Sequence, residues 1–147
     1  MYMKILSLMT VAFITVSASS SAKNIYADVQ VTELQPTNNV MWKRKNLNTP
    51  KYPIELARSG IRGCAVLSFE ISASGKTESV EIISAVPKKK LGKSSRKMLQ
   101  KWHWTPTSTL TEPAAEKRTL RLDFCIDGDS TEQAEEACKQ QTLISCK

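Results

Sequence analysis

Between Gly63 and Ala85 the chain alternates apolar and polar residues twice, with a small, glycine-bearing interruption between the two runs. Ala65, Leu67, Phe69 and Ile71 stand at every second place, with Cys64, Val66, Ser68 and Glu70 between them. A period of two is the mark of a half-buried strand. Ser72 to Lys76 carries the small residues and the glycine, Gly75, that a tight reversal needs, because glycine takes a positive φ cheaply. From Thr77 the alternation resumes, and Val80 and Ile82 fall on the parity that joins the same core. A lone hairpin is marginal in water. The rest of the chain must therefore supply a cover and at least one more strand.

Arg118 to Ile126 reads as that third strand: Leu120, Leu122, Phe124 and Ile126 point one way, Thr119, Arg121, Asp123 and Cys125 the other. Between second and third strands, Pro87 opens a helix whose Leu91, Ser95, Met98, Leu99 and Trp102 form a core-facing stripe. Pro106 disfavours helix at Thr105, so it closes near Trp102 to Trp104. Ahead of the hairpin, Pro53 starts a short helix over Ile54 to Ser59, stopped by Gly60. A right-handed crossover sets the third strand parallel to the second, with the first between them. The expected fold is α+β: a three-stranded antiparallel sheet of order 2-1-3, packed by helices on one face and followed by a helical tail. In the tail Ser130 is an N-cap with Gln133 in capping-box position, and a helix runs to about Gln141.

The chain divides at 1–22, 23–48, 49–126 and 127–147. Lys4, the apolar run Ile5 to Val16 and the small residues Ser17 to Ala22 have the three-part pattern of a secretory signal peptide, cut after Ala22. An uncleaved membrane anchor is the competing reading, but the run is about a dozen residues against the roughly 20 needed to cross a bilayer. Residues 23–48 form an N-terminal extension, either a linker or a short strand with Tyr26, Val29 and Val31 as its apolar members, followed by Met41-Trp42 packed over the domain.

Export favours two disulfides among Cys64, Cys125, Cys138 and Cys146. Cys64 begins the first strand and Cys125 ends the third, both on the non-core parity. In the 2-1-3 order those ends are adjacent, which suits a Cys64–Cys125 bridge. Cys138 with Cys146 follows by elimination, and the alternatives pair Cys125 with one of the tail cysteines. Metal-ligand spacing is missing: there is no Cys-x-x-Cys and the one histidine is His103. No cofactor is expected.

The net charge is +7. Much of it lies in Lys88, Lys89, Lys90, Lys93, Arg96, Lys97 and Lys101, a solvated helix face or a surface drawn to lipid headgroups, cell-wall polymer or an acidic protein. No nucleic-acid motif supports that class of partner. No enzyme is expected. His103 sits between two tryptophans, Ser94 and Ser95 have no oriented base in view, and Glu70 with Glu78 or Glu81 reads as scattered surface carboxylates.

From Thr49 to Ile126 the chain resembles the C-terminal domain of TonB. The marks are Tyr52-Pro53, the short helix into Gly63, the Phe69-x-Ile71-x-x-x-Gly75 hairpin, Val80-x-Ile82-Ile83-Ser84-Ala85-x-Pro87, and Lys101-Trp102-x-Trp104-x-Pro106. Each is weak alone; their order and spacing are specific together. The resemblance implies a periplasmic domain that binds the TonB box of outer-membrane receptors as an added strand beside the third strand. On that reading the partner-binding residues are Lys51, Tyr52, Arg118, Thr119, Leu120, Arg121, Leu122, Asp123 and Phe124. The partner is an outer-membrane receptor peptide or another periplasmic protein, and a homodimer is the other way to cover the edge. The chain departs from the family pattern in three places. A cleavable signal stands where TonB has a membrane helix and Pro-rich spacer, Lys51 stands where Gln is frequent, and the tail past Ile126 is extra. The alternative function is a structural envelope protein that holds cell wall or its own copy through the basic helix, with the sheet edge sealed.

Overall fold

The computed structural model describes residues 24–108 and 113–147. The expected signal peptide and its cleavage after Ala22 lie outside the described residues. In chain order the elements are β1 (Ala27–Gln35), β2 (Trp42–Arg44), α1 (Ile54–Arg58), β3 (Gly63–Ile71), β4 (Thr77–Val86), α2 (Lys88–Leu99), β5 (Trp104–Pro106), β6 (Glu116–Ile126) and α3 (Thr131–Thr142). The main sheet is antiparallel with spatial order β1-β6-β3-β4, and β2 with β5 makes a small ribbon.

The hairpin β3–β4 follows from its turn chemistry. Gly75 has φ +77° and donates its N–H to Ser72 O at 2.8 Å. A Cβ there would collide with the Trp104 carbonyl, and Trp104 N–H donates back to Gly75 O at 2.8 Å. Both the left-handed backbone and the close approach require glycine.

Strand parity builds the core. Ala65 faces Leu122 and Leu67 faces Leu120 across β3–β6. With Phe69, Ile71 and Phe124 these side chains are buried. On α2, Leu91 and Leu99 close over them, and Gly92 lies against Ile82 and Ala85. Leu56 of α1 and half-buried Met98 and Trp102 complete this layer. Each buried Leu or Phe contributes on the order of 1.5–3 kcal/mol, which makes this face the main stabilising layer.

Three expectations are corrected. The three-stranded sheet of order 2-1-3 is instead four-stranded, because β1 lies beyond β6. The alternation at Val29 and Val31 sets Val29 opposite Phe124 and buries it beside the core. Helices do not lie on one face only. The second face of β6 carries Asp123 and Cys125, both buried, and α3 covers them. The disulfides are Cys64–Cys146 and Cys125–Cys138, with Cα separations of 5.8 and 5.3 Å. Neither Cys64–Cys125 nor Cys138–Cys146 forms. The register sets Cys64 opposite Asp123, two residues short of Cys125, which faces Asp28 of β1. The α3 helix then brings Cys138 to Cys125. Ser130 is the expected N-cap, with Gln133 N–H donating to Ser130 Oγ at 3.3 Å, but the Gln133 side chain reaches one residue further back than a capping box, accepting from Asp129 N–H at 2.7 Å.

Candidate partner-binding site

The edge expected at Arg118 to Ile126 is not an edge. From Thr119 to Ile126, β6 pairs with β1 on one side, and from Glu116 to Phe124 with β3 on the other. Its backbone groups are used in both directions, so the ladder that a partner strand needs is already filled. The side chains agree. Leu120, Leu122 and Phe124 point into the core, and Asp123 is fully buried. Arg121 donates to both Asp123 carboxylate oxygens at 2.8 Å, to Gln141 O at 2.9 Å and to Ile144 O at 2.7 Å. That clamp ties the tail to the sheet. Gln141 strengthens it by donating to Asp123 Oδ1 at 3.0 Å and Gly63 O at 2.7 Å.

Arg118 is buried as well, at 4% exposure. Its guanidinium donates to the Glu116 carboxylate and the Trp42 carbonyl, lies 3.4 Å from Glu33 and stands 5.2 Å over the Trp104 ring. Met41 N–H donates to Glu116 at 2.7 Å, and Trp42 Nε1–H to Ala114 O at 2.9 Å. Trp104 Nε1–H donates to Thr77 Oγ1 at 2.9 Å. The cluster fastens the β2–β5 ribbon and β1 to the sheet. Its signal was in the sequence: Glu116 and Arg118 share the parity of Leu120, and charges on a core parity must be paired to be buried.

The open flanks of the main sheet belong to β1 and β4. β4 is irregular, with register shifts at two places and Ser79 at φ +52°. Bulges of that kind blunt an edge. β1 runs without a shift from Ala27 to Glu33. It is held down by buried Val29 and by α3, whose Cys138 Sγ lies 3.8 Å from Asp28 O. Burial raises the Asp28 carboxyl above its ordinary range, and nearby Glu135 adds to the shift against the hydrogen bond from Val29.

Tyr52 packs against β6 itself, on the core side and not at an edge, and Lys51 stands apart in a groove. Tyr52 lies edge-on to Phe124 at 5.5 Å between ring centroids and donates its hydroxyl to Ile61 O at 2.7 Å. Burial pushes its phenol far above the usual range, with Arg62 opposing. Exposed Lys51 lines a groove of about 930 Å³ between the α1 segment and α2. Lys88, Lys89, Lys90, Lys93, Arg96, Lys97 and Lys101 are all exposed, as the solvated face of α2 requires. His103 is exposed, with Nδ1 3.2 Å from Lys101 O. Glu70 stands between Glu78 and Lys117 in the sheet register.

Comparison with known proteins places this geometry. Residues 48–126 match the family described as "Gram-negative bacterial TonB protein C-terminal". Protein TonB of two strains of Xanthomonas campestris pv. campestris, B100 and ATCC 33913, is 24% identical over 83 residues. That alignment covers 56% of this chain and 37% of those proteins, so the chain matches little more than a third of their length. The solution NMR structure of the Pseudomonas aeruginosa TonB CTD has a TM-score of 0.54 at 22% identity, covering 64% of this chain and 95% of that one. The last is a likeness of fold.

Proposed function

Since the chain belongs to the Gram-negative bacterial TonB C-terminal family, we propose that it is a periplasmic binding module linked to TonB-dependent transport, with a binding rather than a catalytic role. It takes an extended segment of an outer-membrane receptor, or of another periplasmic protein, as an additional strand of its sheet. The carrying observation is the flank of β6. The family region ends at Ile126, and the strand that completes its sheet, β1, comes from outside that region. The module thus accepts a strand from an external segment, here supplied by its own chain. The outer flank of β1 over Ala27 to Glu33 is the regular edge on which the next strand adds, with backbone groups giving affinity.

The test is a titration of the ¹⁵N-labelled, oxidised chain with a synthetic TonB-box peptide. Shifts and slowed exchange at alternate β1 amides support the reading. Binding that leaves every β1 and β6 amide unmoved would falsify it. A second reading, an envelope scaffold with a sealed edge, is favoured by the closure of β6. It predicts no peptide binding and salt-sensitive cosedimentation with isolated cell wall through the basic face.

A further inference from the structure

We propose that the groove between the α1 segment and α2 is a second docking site, for an extended acidic peptide with apolar residues between its carboxylates. It is distinct from the β1 edge and does not depend on strand addition. One wall is a lysine row: Lys89, Lys93 and Lys97 on α2, and Lys101 just past its end. Lys51 faces them from the Pro50–Pro53 segment, and among the described residues Glu55 is the one carboxylate in the lining. The floor is Tyr52, Leu56, Met98 and Trp102. A volume of about 930 Å³ is at the upper end of what a small ligand fills, and suits several residues of peptide.

Spacing and relief select the occupant. Lysines four apart on a helix rise about 6 Å per step. Alternate residues of an extended chain repeat at about 6.6–6.8 Å. A peptide with acids at every second position keeps near-register with the row over three lysines. Its other side chains point away from the carboxylates, toward the aromatic floor. A bilayer is disfavoured by the relief: the lysines are exposed, whereas Tyr52, Met98 and Trp102 are half-buried and Leu56 is buried. A flat surface would meet the ammonium groups and leave the floor untouched. The acidic residues Glu132, Glu135 and Glu136 lie on α3, across the sheet from the groove. A second copy docked through them would form a head-to-tail contact, which builds a ring or an open filament and not a two-fold dimer.

The experiment uses the full oxidised chain and a short capped peptide alternating Glu with Leu, with its Gln-for-Glu counterpart as control. The Glu peptide is expected to shift the amides of Lys93 and Lys97 and the Trp102 indole N–H, and to bind more weakly as salt is raised. Lys93→Gln with Lys97→Gln, both at exposed positions, should weaken binding about fivefold or more with an unchanged thermal midpoint. Equal binding of the Gln peptide overturns the proposal. So do shifts confined to β1, capture of phosphatidylglycerol vesicles without binding of the peptide, or self-association of the chain in its place.

Discussion

Asp28 shows how one side chain is set by the neighbour that closes over it. Its carboxyl lies between β1 and α3, where burial and then Glu135 raise its pKa, while the Val29 hydrogen bond opposes them. A raised folded value means that the ionised form is disfavoured in the native state. The associated stability is present in full below the ordinary value of 3.8 and is lost as pH rises through the folded value. Asp28→Asn removes that loss and keeps an oxygen for the Val29 amide. The variant should unfold at higher urea than the parent near neutral pH and at about the same urea well below the ordinary value. A parent that outlasts the variant at neutral pH would contradict the assignment. Gly75 and Arg118 are set in the same way, by what approaches them from β5 and β2.

Among the elements, α3 depends most on covalent links. Its cap is sound, but Ala134 and Cys138 are its buried residues, too little apolar surface to hold a short helix by burial alone. The Cys125–Cys138 bridge closes 13 residues and fixes the helix to β6. Cys64–Cys146 closes 82 residues and ties the far end of the tail to the start of β3. Loop-closure entropy assigns about 3 kcal/mol to the shorter loop and about 4.5 kcal/mol to the longer. Replacing Cys64 and Cys146 by Ala should therefore lower the denaturant midpoint more than replacing Cys125 and Cys138. The reverse order would mean that the packing of α3 on the sheet, and not loop closure, dominates.

Across the whole molecule the sheet is covered on both faces, by α1 and α2 on one and α3 on the other. The N-terminal segment is woven into the same body through β1 and β2. Arg118 joins these parts: it reaches Glu33 of β1, the Trp42 carbonyl of β2, the Trp104 ring of β5 and Glu116 of its own strand. Arg118→Ala leaves the Glu116 carboxylate buried without its guanidinium, a change that costs on the order of 3–5 kcal/mol. Adding Glu116→Gln should recover part of the loss in a double-mutant cycle. A loss below about 1 kcal/mol would mean that the cluster contributes no more than an exposed ion pair.

Much of the fold was legible in the residues themselves. Period-two alternation assigned the faces of β3 and β6, the spacing of Leu91, Ser95 and Leu99 assigned the inner side of α2, and Ser130 with Gln133 announced α3. Each of these is a local relation in which burial acts on side chains a few positions apart. Tertiary structure decided which strand lies beside β6, which cysteines meet, and on which side α3 rests. Backbone N–H and C=O groups are the same on every strand, so alternation tells a strand which face to bury and not which neighbour to choose. Here the choice fell to Val29 against Phe124 and to Asp123 beneath Arg121 and Gln141. Those contacts join residues far apart in the chain and exist only once it has closed on itself.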